Sequence, residues 1–204
     1  QSDLAWISLY NGAINGEASD RMVAAIKAFQ KDHGAKETGV LNAQERSTLN
    51  AAARKLQDNV GWKIMTDATS GARIGLPSKL VPLIVSDVNG TKWSSATGTI
   101  QIEYARRKEA NATTATVAAN EKKLNARKTD YSVVKPDFFV LSGMQGLKKF
   151  YIRGQTRNDE VRVLTILYDQ ATEGTMTPVT VAMSSAYNPF PGGAVAQAGP
   201  PPRK

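Results

Sequence analysis

The sequence predicts an α+β fold in two parts, a small three-helix module followed by an antiparallel sheet covered by helices. Three observations predict it. Apolar residues recur at helical spacing as far as Leu56. Beyond Gly61 they gather instead in short β-branched and aromatic runs divided by turn residues. Two later segments return to helical spacing, one inside the strand series and one after it. The expected division is a helical domain over 1–58, an α+β domain over 61–190 and a Pro/Gly/Ala-rich flexible tail or linker over 191–204.

The first element is a short helical segment from Asp3 to Leu9, with Leu4, Ile7 and Trp6 turned toward a core. Tyr10-Asn11-Gly12 and Ile14-Asn15-Gly16 then read as turns, where Gly and Asn adopt positive φ at small cost. Ser19 is placed to cap a helix whose Val23, Ile26 and Phe29 share one face, with Gly34 as its stop. Asn42 with Glu45 three residues on forms a capping box for the next helix. Its apolar stripe is Leu49, Ala52, Ala53 and Leu56.

These residues carry a resemblance. Tyr10-Asn11-Gly12-Ala13-Ile14-Asn15-Gly16, then Ala25 to Gln30, Gly34, Thr38-Gly39-Val40-Leu41-Asn42 and Leu49 resemble the repeat of peptidoglycan-binding-domain-like modules over about residues 3–53. The family shows an aromatic, a Gly, an Asp/Asn-Gly turn, an Ala-x-x-x-Phe-Gln helix end, a Thr-Gly-x-Leu/Val turn and a final Leu. Asn15 stands where Asp is usual, and the first helix lacks the Val-x-x-Leu-Gln opening. The resemblance implies a wall-polymer contact, with Tyr10, Asn15, Gln30, Thr38 and Gly39 as the candidate residues. Tyr10 is expected to be the exposed sugar or peptide contact, Gln30 to tie down a loop, Phe29 and Trp6 to fill the core, and His33 to cap a helix end.

In the second part, Trp62–Met65 and Arg73–Leu76 read as short strands, with Pro77 closing the second, and Gly98–Tyr104 alternates apolar with polar residues. A helix runs from Thr113 to about Asn125. Strands follow at Tyr131–Val134, Phe138–Ser142, Lys149–Gln155 and Val161–Tyr168, the last two joined by an Asn158-Asp159 hairpin. The closing helix is expected over Thr177–Ala186, with Pro178 in its first turn. Gly75-Leu76-Pro77, the pairing of Phe138–Gly143 with Lys149–Arg153, and Met183-Ser184-Ser185-Ala186-Tyr187 are similar to the PsbP-like superfamily over about residues 62–190. That resemblance implies a sandwich used for binding or scaffolding and carries no catalytic motif to transfer.

Composition narrows the chemistry. With no Cys and one His, His33, there is no disulfide, thiolate nucleophile or multi-His metal centre. No Gly-x-Ser-x-Gly elbow, phosphate loop or His-Glu-x-x-His helix occurs. Asp130 and Asp137 read as turn residues beside strands, not as a glycosidase pair. The expectation is therefore a protein with no catalytic site, metal or cofactor.

Residues 1–60 hold seven bases and seven acids, so the net charge of +8 falls wholly in residues 61–204. Arg153, Arg157 and Arg162 sit around one hairpin and are the candidate basic surface, which the sequence reads first as a solvated face. Nucleic acid is disfavoured because Phe138, Phe139, Phe150 and Tyr151 fall at core positions of strands. No run approaches the roughly 18 apolar residues of a membrane span.

The reading that results is a non-catalytic, periplasmic or extracellular binding protein, its export signal already removed. Its partners are peptidoglycan or another cell-wall polymer and an envelope protein. The alternative is the N-terminal regulatory or targeting region of a larger envelope hydrolase such as a protease, lying beyond the Pro/Gly tail. A third reading has the module reduced to packing on the second domain.

Overall fold

The computed structural model describes residues 1–12, 14–124 and 126–192. Helix α1 (Ser2–Trp6) opens the chain and buries Leu4, Ala5 and Trp6. Helix α2 (Asp20–Asp32) begins where the Met22 amide donates to Ser19 Oγ at 3.2 Å. Helix α3 (Ala43–Val60) starts on the expected capping box: the Glu45 amide donates to Asn42 Oδ1 at 2.9 Å and the Asn42 amide to Glu45 Oε2 at 2.8 Å. Each such bond satisfies an amide that the helix itself cannot. Leu4, Ala5, Tyr10, Ala25, Ile26, Phe29 and Leu49 close a small core among the three helices. Leu56 departs from the expected stripe. It is 38% exposed, and Val60, one turn further on, takes the buried position.

Strands β1 (Trp62–Thr66) and β2 (Arg73–Pro77) form a separate antiparallel hairpin. The main sheet has seven antiparallel strands in the order β3-β4-β5-β9-β8-β7-β6. These are β3 (Leu83–Asp87), β4 (Gly90–Ser94), β5 (Ile100–Lys108), β6 (Arg127–Val134), β7 (Phe139–Gln145), β8 (Lys148–Arg157) and β9 (Glu160–Asp169). The β8–β9 turn is the expected Asn158-Asp159 pair, both residues at positive φ (49° and 60°), which gives the twist that a two-residue hairpin needs. The hairpin of β3 and β4 escaped the sequence reading. Leu83, Ile84 and Val85 are all exposed, so β3 lacks the one-sided alternation that marks a half-buried strand; the Asn89-Gly90 pair was the available signal.

Each face of the sheet carries one helix. Val117 and Ala118 of α4 (Thr114–Lys122) pack with Phe139, Leu141, Phe150, Ile152, Val161 and Val163 on one face. Because side chains alternate along a strand, Leu164, Ile166 and Tyr168 of β9 point the other way, toward Met176, Val179 and Met183 of α5 (Glu173–Ala186). Helix α5 begins four residues earlier than expected, so Pro178 lies inside it and not in its first turn. The only bond Pro178 forgoes is to the carbonyl of Gly174, an exposed residue, and the proline ring is buried in exchange.

The two parts share a core. Trp6, Ala53 and Val60 belong to the same buried cluster as Ile74, Leu76, Ile102, Leu164 and Met183, while Val181 of α5 packs against the module's own core. Trp6 and Trp62 meet edge to face, 5.1 Å between centroids. Gly75 makes room for this contact, because a Cβ there would come within 2.3 Å of the Trp62 ring. Residues 193–204, most of the expected tail, lie outside the described residues.

Candidate binding site

The module's candidate residues separate by burial. Gln30 is 1% exposed and ties three segments together. Its Nε2 lies 3.0 Å from both Thr38 Oγ1 and the Val40 carbonyl and 3.2 Å from the Glu45 carboxylate, while its Oε1 accepts from the Gly39 amide at 2.9 Å. Gly39 is buried at φ +76°, with Val23 where a Cβ would stand, so only glycine fits there. Thr38 and Asn15 remain on the surface. Asn15 is held by Glu17, which accepts from Asn15 Nδ2 at 2.9 Å and donates its amide to Asn15 Oδ1 at 3.1 Å. Tyr10 corrects the expectation of an exposed contact. It is 6% exposed, in the module core, with its ring against Gly12. His33 Nδ1 lies 2.8 Å from the Phe29 carbonyl at the end of α2.

The three arginines share one face of β8 and β9, as their alternation requires, but differ in burial: Arg157 is exposed, Arg153 half-buried and Arg162 buried. Arg162 is 8% exposed. It donates to the carbonyls of Ser70 and Pro189 and to Glu160, and its guanidinium lies 4.3 Å from the Phe190 ring centroid. Arg157 covers the same ring at 4.7 Å. Both pin the segment that follows α5. Arg153 instead donates from Nη1 to the carbonyl and Oγ of Ser184 on α5, at 2.9 and 3.1 Å, and lies 5.2 Å from the Phe138 ring centroid.

Arg153 also stands in the wall of a cleft of about 890 Å³ that opens between α5, the α5-facing side of β6–β8, and the module. Asn11, Gly12, Ile14 and Arg21 supply the module wall. The sheet gives Val140 and Met144 as apolar floor and Ser142 as a polar one. On α5, Ser184 Oγ lies 2.6 Å from the Tyr151 hydroxyl, and Glu173 forms an ion pair with Lys149. The period of two along β8 already places Lys149, Tyr151 and Arg153 on one face. What the sequence could not show is that Asn11, Gly12, Ile14 and Arg21 come to lie opposite them, since that placement follows from long-range packing of Trp6, Ala53, Val60 and Val181.

Burial raises the phenols of Tyr104, Tyr151, Tyr168 and Tyr187 above the usual value near 10, and the hydrogen bond to Glu173 raises the Lys149 ammonium. The folded chain therefore keeps these protons to higher pH than the unfolded chain does. Their contribution to stability is complete below about pH 10 and is lost as pH rises through the folded values. The denaturation midpoint should hold level to about pH 9.5 and fall steeply beyond, with phenolate absorbance appearing together with unfolding. Phenolate absorbance from all six tyrosines that is half-developed at about pH 10 with the fold intact would contradict this assignment.

Among the described residues no group of three or more His, Cys, Asp or Glu is placed to hold a metal, and no helix is long and apolar enough to cross a membrane. With this geometry in place, residues 1–49 match the family model of the peptidoglycan binding domain. Over 63% of its length the chain is similar to a solved structure, the cyanobacterial PsbP (CyanoP) from Synechocystis sp. PCC 6803. The match covers 92% of that chain at 9% identity, with a TM-score of 0.47. No curated protein matches the chain. The class is thus an α+β protein whose residues 1–49 are similar to that domain family.

Proposed function

We propose that this is a non-catalytic protein of the cell envelope, acting outside the cytoplasm, that binds peptidoglycan through its helical module and presents the α+β part, from about residue 61, as an interaction or scaffold domain. The observation that carries this reading is the family match over residues 1–49. Support comes from the module's integrity: the capping box, the Gln30 loop tie and the close approach at Gly39 are all in place.

Sedimentation of the full chain with purified sacculi tests it. The module is neutral, so its attachment should survive in ~1 M salt, where the screening length is only about 3 Å. Complete loss of binding at that salt would show that the neutral module contributes no attachment of its own and would contradict the proposal, whereas charged contacts from the second part would be only weakened.

A further inference from the structure

The cleft has an unbalanced electrostatic lining. Five charged side chains line it: Arg21, Lys149 and Arg153 against Asp130 and Glu173. Lys149 and Glu173 neutralise each other. Arg153 has no carboxylate partner among the described residues; it meets neutral oxygens, the two of Ser184 and the Tyr151 hydroxyl, and its Nε is buried without an acceptor. Arg21 is exposed and makes no hydrogen bond or ion pair among the described residues. Asp130 projects from the β6 bulge and is paired with neither arginine. The cleft lining therefore carries a net charge of +1, with two guanidinium groups that no carboxylate pairs directly, one on the module and one on the sheet, above an apolar floor.

A half-buried, unpaired guanidinium such as that of Arg153 gains most from a carboxylate, and the exposed fork of Arg21 can bind one through two parallel N–H donors. The volume lies within the range of about 300–1,000 Å³ typical of small-ligand sites. Hydroxyls of Ser142 and Tyr151 and the side chain of Asn11 can meet peptide amides between the charged ends.

We propose that the cleft between the module and the sheet binds a short peptide bearing free carboxylates, with Arg21 and Arg153 as the carboxylate partners. Resting on the wall-binding reading above, the peptide stems of peptidoglycan are its source. The second domain is then part of the wall-recognition site. Arg21 on the module and Arg153 on the sheet meet its acidic groups from the two walls.

The test is calorimetric titration of the full chain with stem peptides released from peptidoglycan, with the same peptides amidated at their carboxylates, and with glycan strands stripped of peptide. The free peptide should bind, and amidation should weaken it at least tenfold. Arg153→Met and Arg21→Ala should each weaken it about tenfold, the scale of one lost charge-assisted hydrogen bond. Arg153 also holds α5, so the exposed Arg21→Ala is the cleaner variant, and its melting should match the parent chain. Equal affinity for free and amidated peptide, or an Arg21→Ala chain that binds as the parent does, overturns the proposal. Retention on sacculi without peptide binding overturns the cleft assignment and leaves the wall reading standing. Peptide binding without retention upholds the cleft and removes the wall reading; neither form of binding removes both.

Discussion

Trp6→Ala is expected to destabilise the whole chain by about 3–5 kcal/mol, the scale of a buried aromatic removed from a core, although Trp6 belongs to a five-residue helix near the chain's start. The reason is its position. Trp6 is 2% exposed, and it packs in one cluster with β2, β5, β9 and α5 and against the ring of Trp62. If the module and the sheet share that cluster, denaturation of the parent chain follows a single transition and the substitution moves all of it. A chain that unfolds in two steps, with Trp6→Ala lowering only the first, would show the module to be an independent unit. The same result would separate the two walls of the cleft, because their spacing depends on this contact.

Arg162→Ala is the second large effect, at about 3–5 kcal/mol. Two backbone carbonyls would lose their donor, that of Pro189 at a buried site, where an unpaired group costs about 1–3 kcal/mol, and that of Ser70 at a half-buried one, where it costs less. Glu160 would lose its partner, and the Phe190 ring one of the two cations above it. Arg162→Lys should recover little of this, because a single ammonium cannot serve three acceptors spread around a planar fork. Limited proteolysis should then find the 187–190 segment newly accessible. Stability within about 1 kcal/mol of the parent would show that Arg162 is an ordinary surface base whose carbonyl acceptors are served by water.

Much of this fold was legible because local signals were strong and mutually consistent. Ser19 and Asn42 each stand before a helix as caps, and each accepts the amide expected of it. Strands β5 to β9 announced themselves by β-branched and aromatic runs, and the Asn158-Asp159 pair fixed their central hairpin. Strand β3 was missed because neither of its faces is buried. The length of α5 was misjudged because a proline was read as a helix start when its neighbours could accommodate it one turn later.

The site was less legible than the fold. Tyr10 looked like a surface aromatic because it lies among turn residues, yet the turn folds its ring back over Gly12 and into the module core. Arg162 looked like a member of a basic patch, since charge in a sequence carries no information on which carbonyls will surround it. The opposition of Arg21 and Arg153 involves residues more than a hundred positions apart and the packing of Trp6, Ala53, Val60 and Val181 between the two parts.

The central claim is that residues 1–49 recognise the wall polymer. Amide chemical-shift mapping of the full chain during titration with soluble muropeptides tests it most directly. The account predicts shifts that cluster in residues 1–49 and continue onto the cleft wall around Arg153 and Ser184. Shifts confined to the far end of the sheet at β3 and β4, or none at saturating muropeptide, would contradict it.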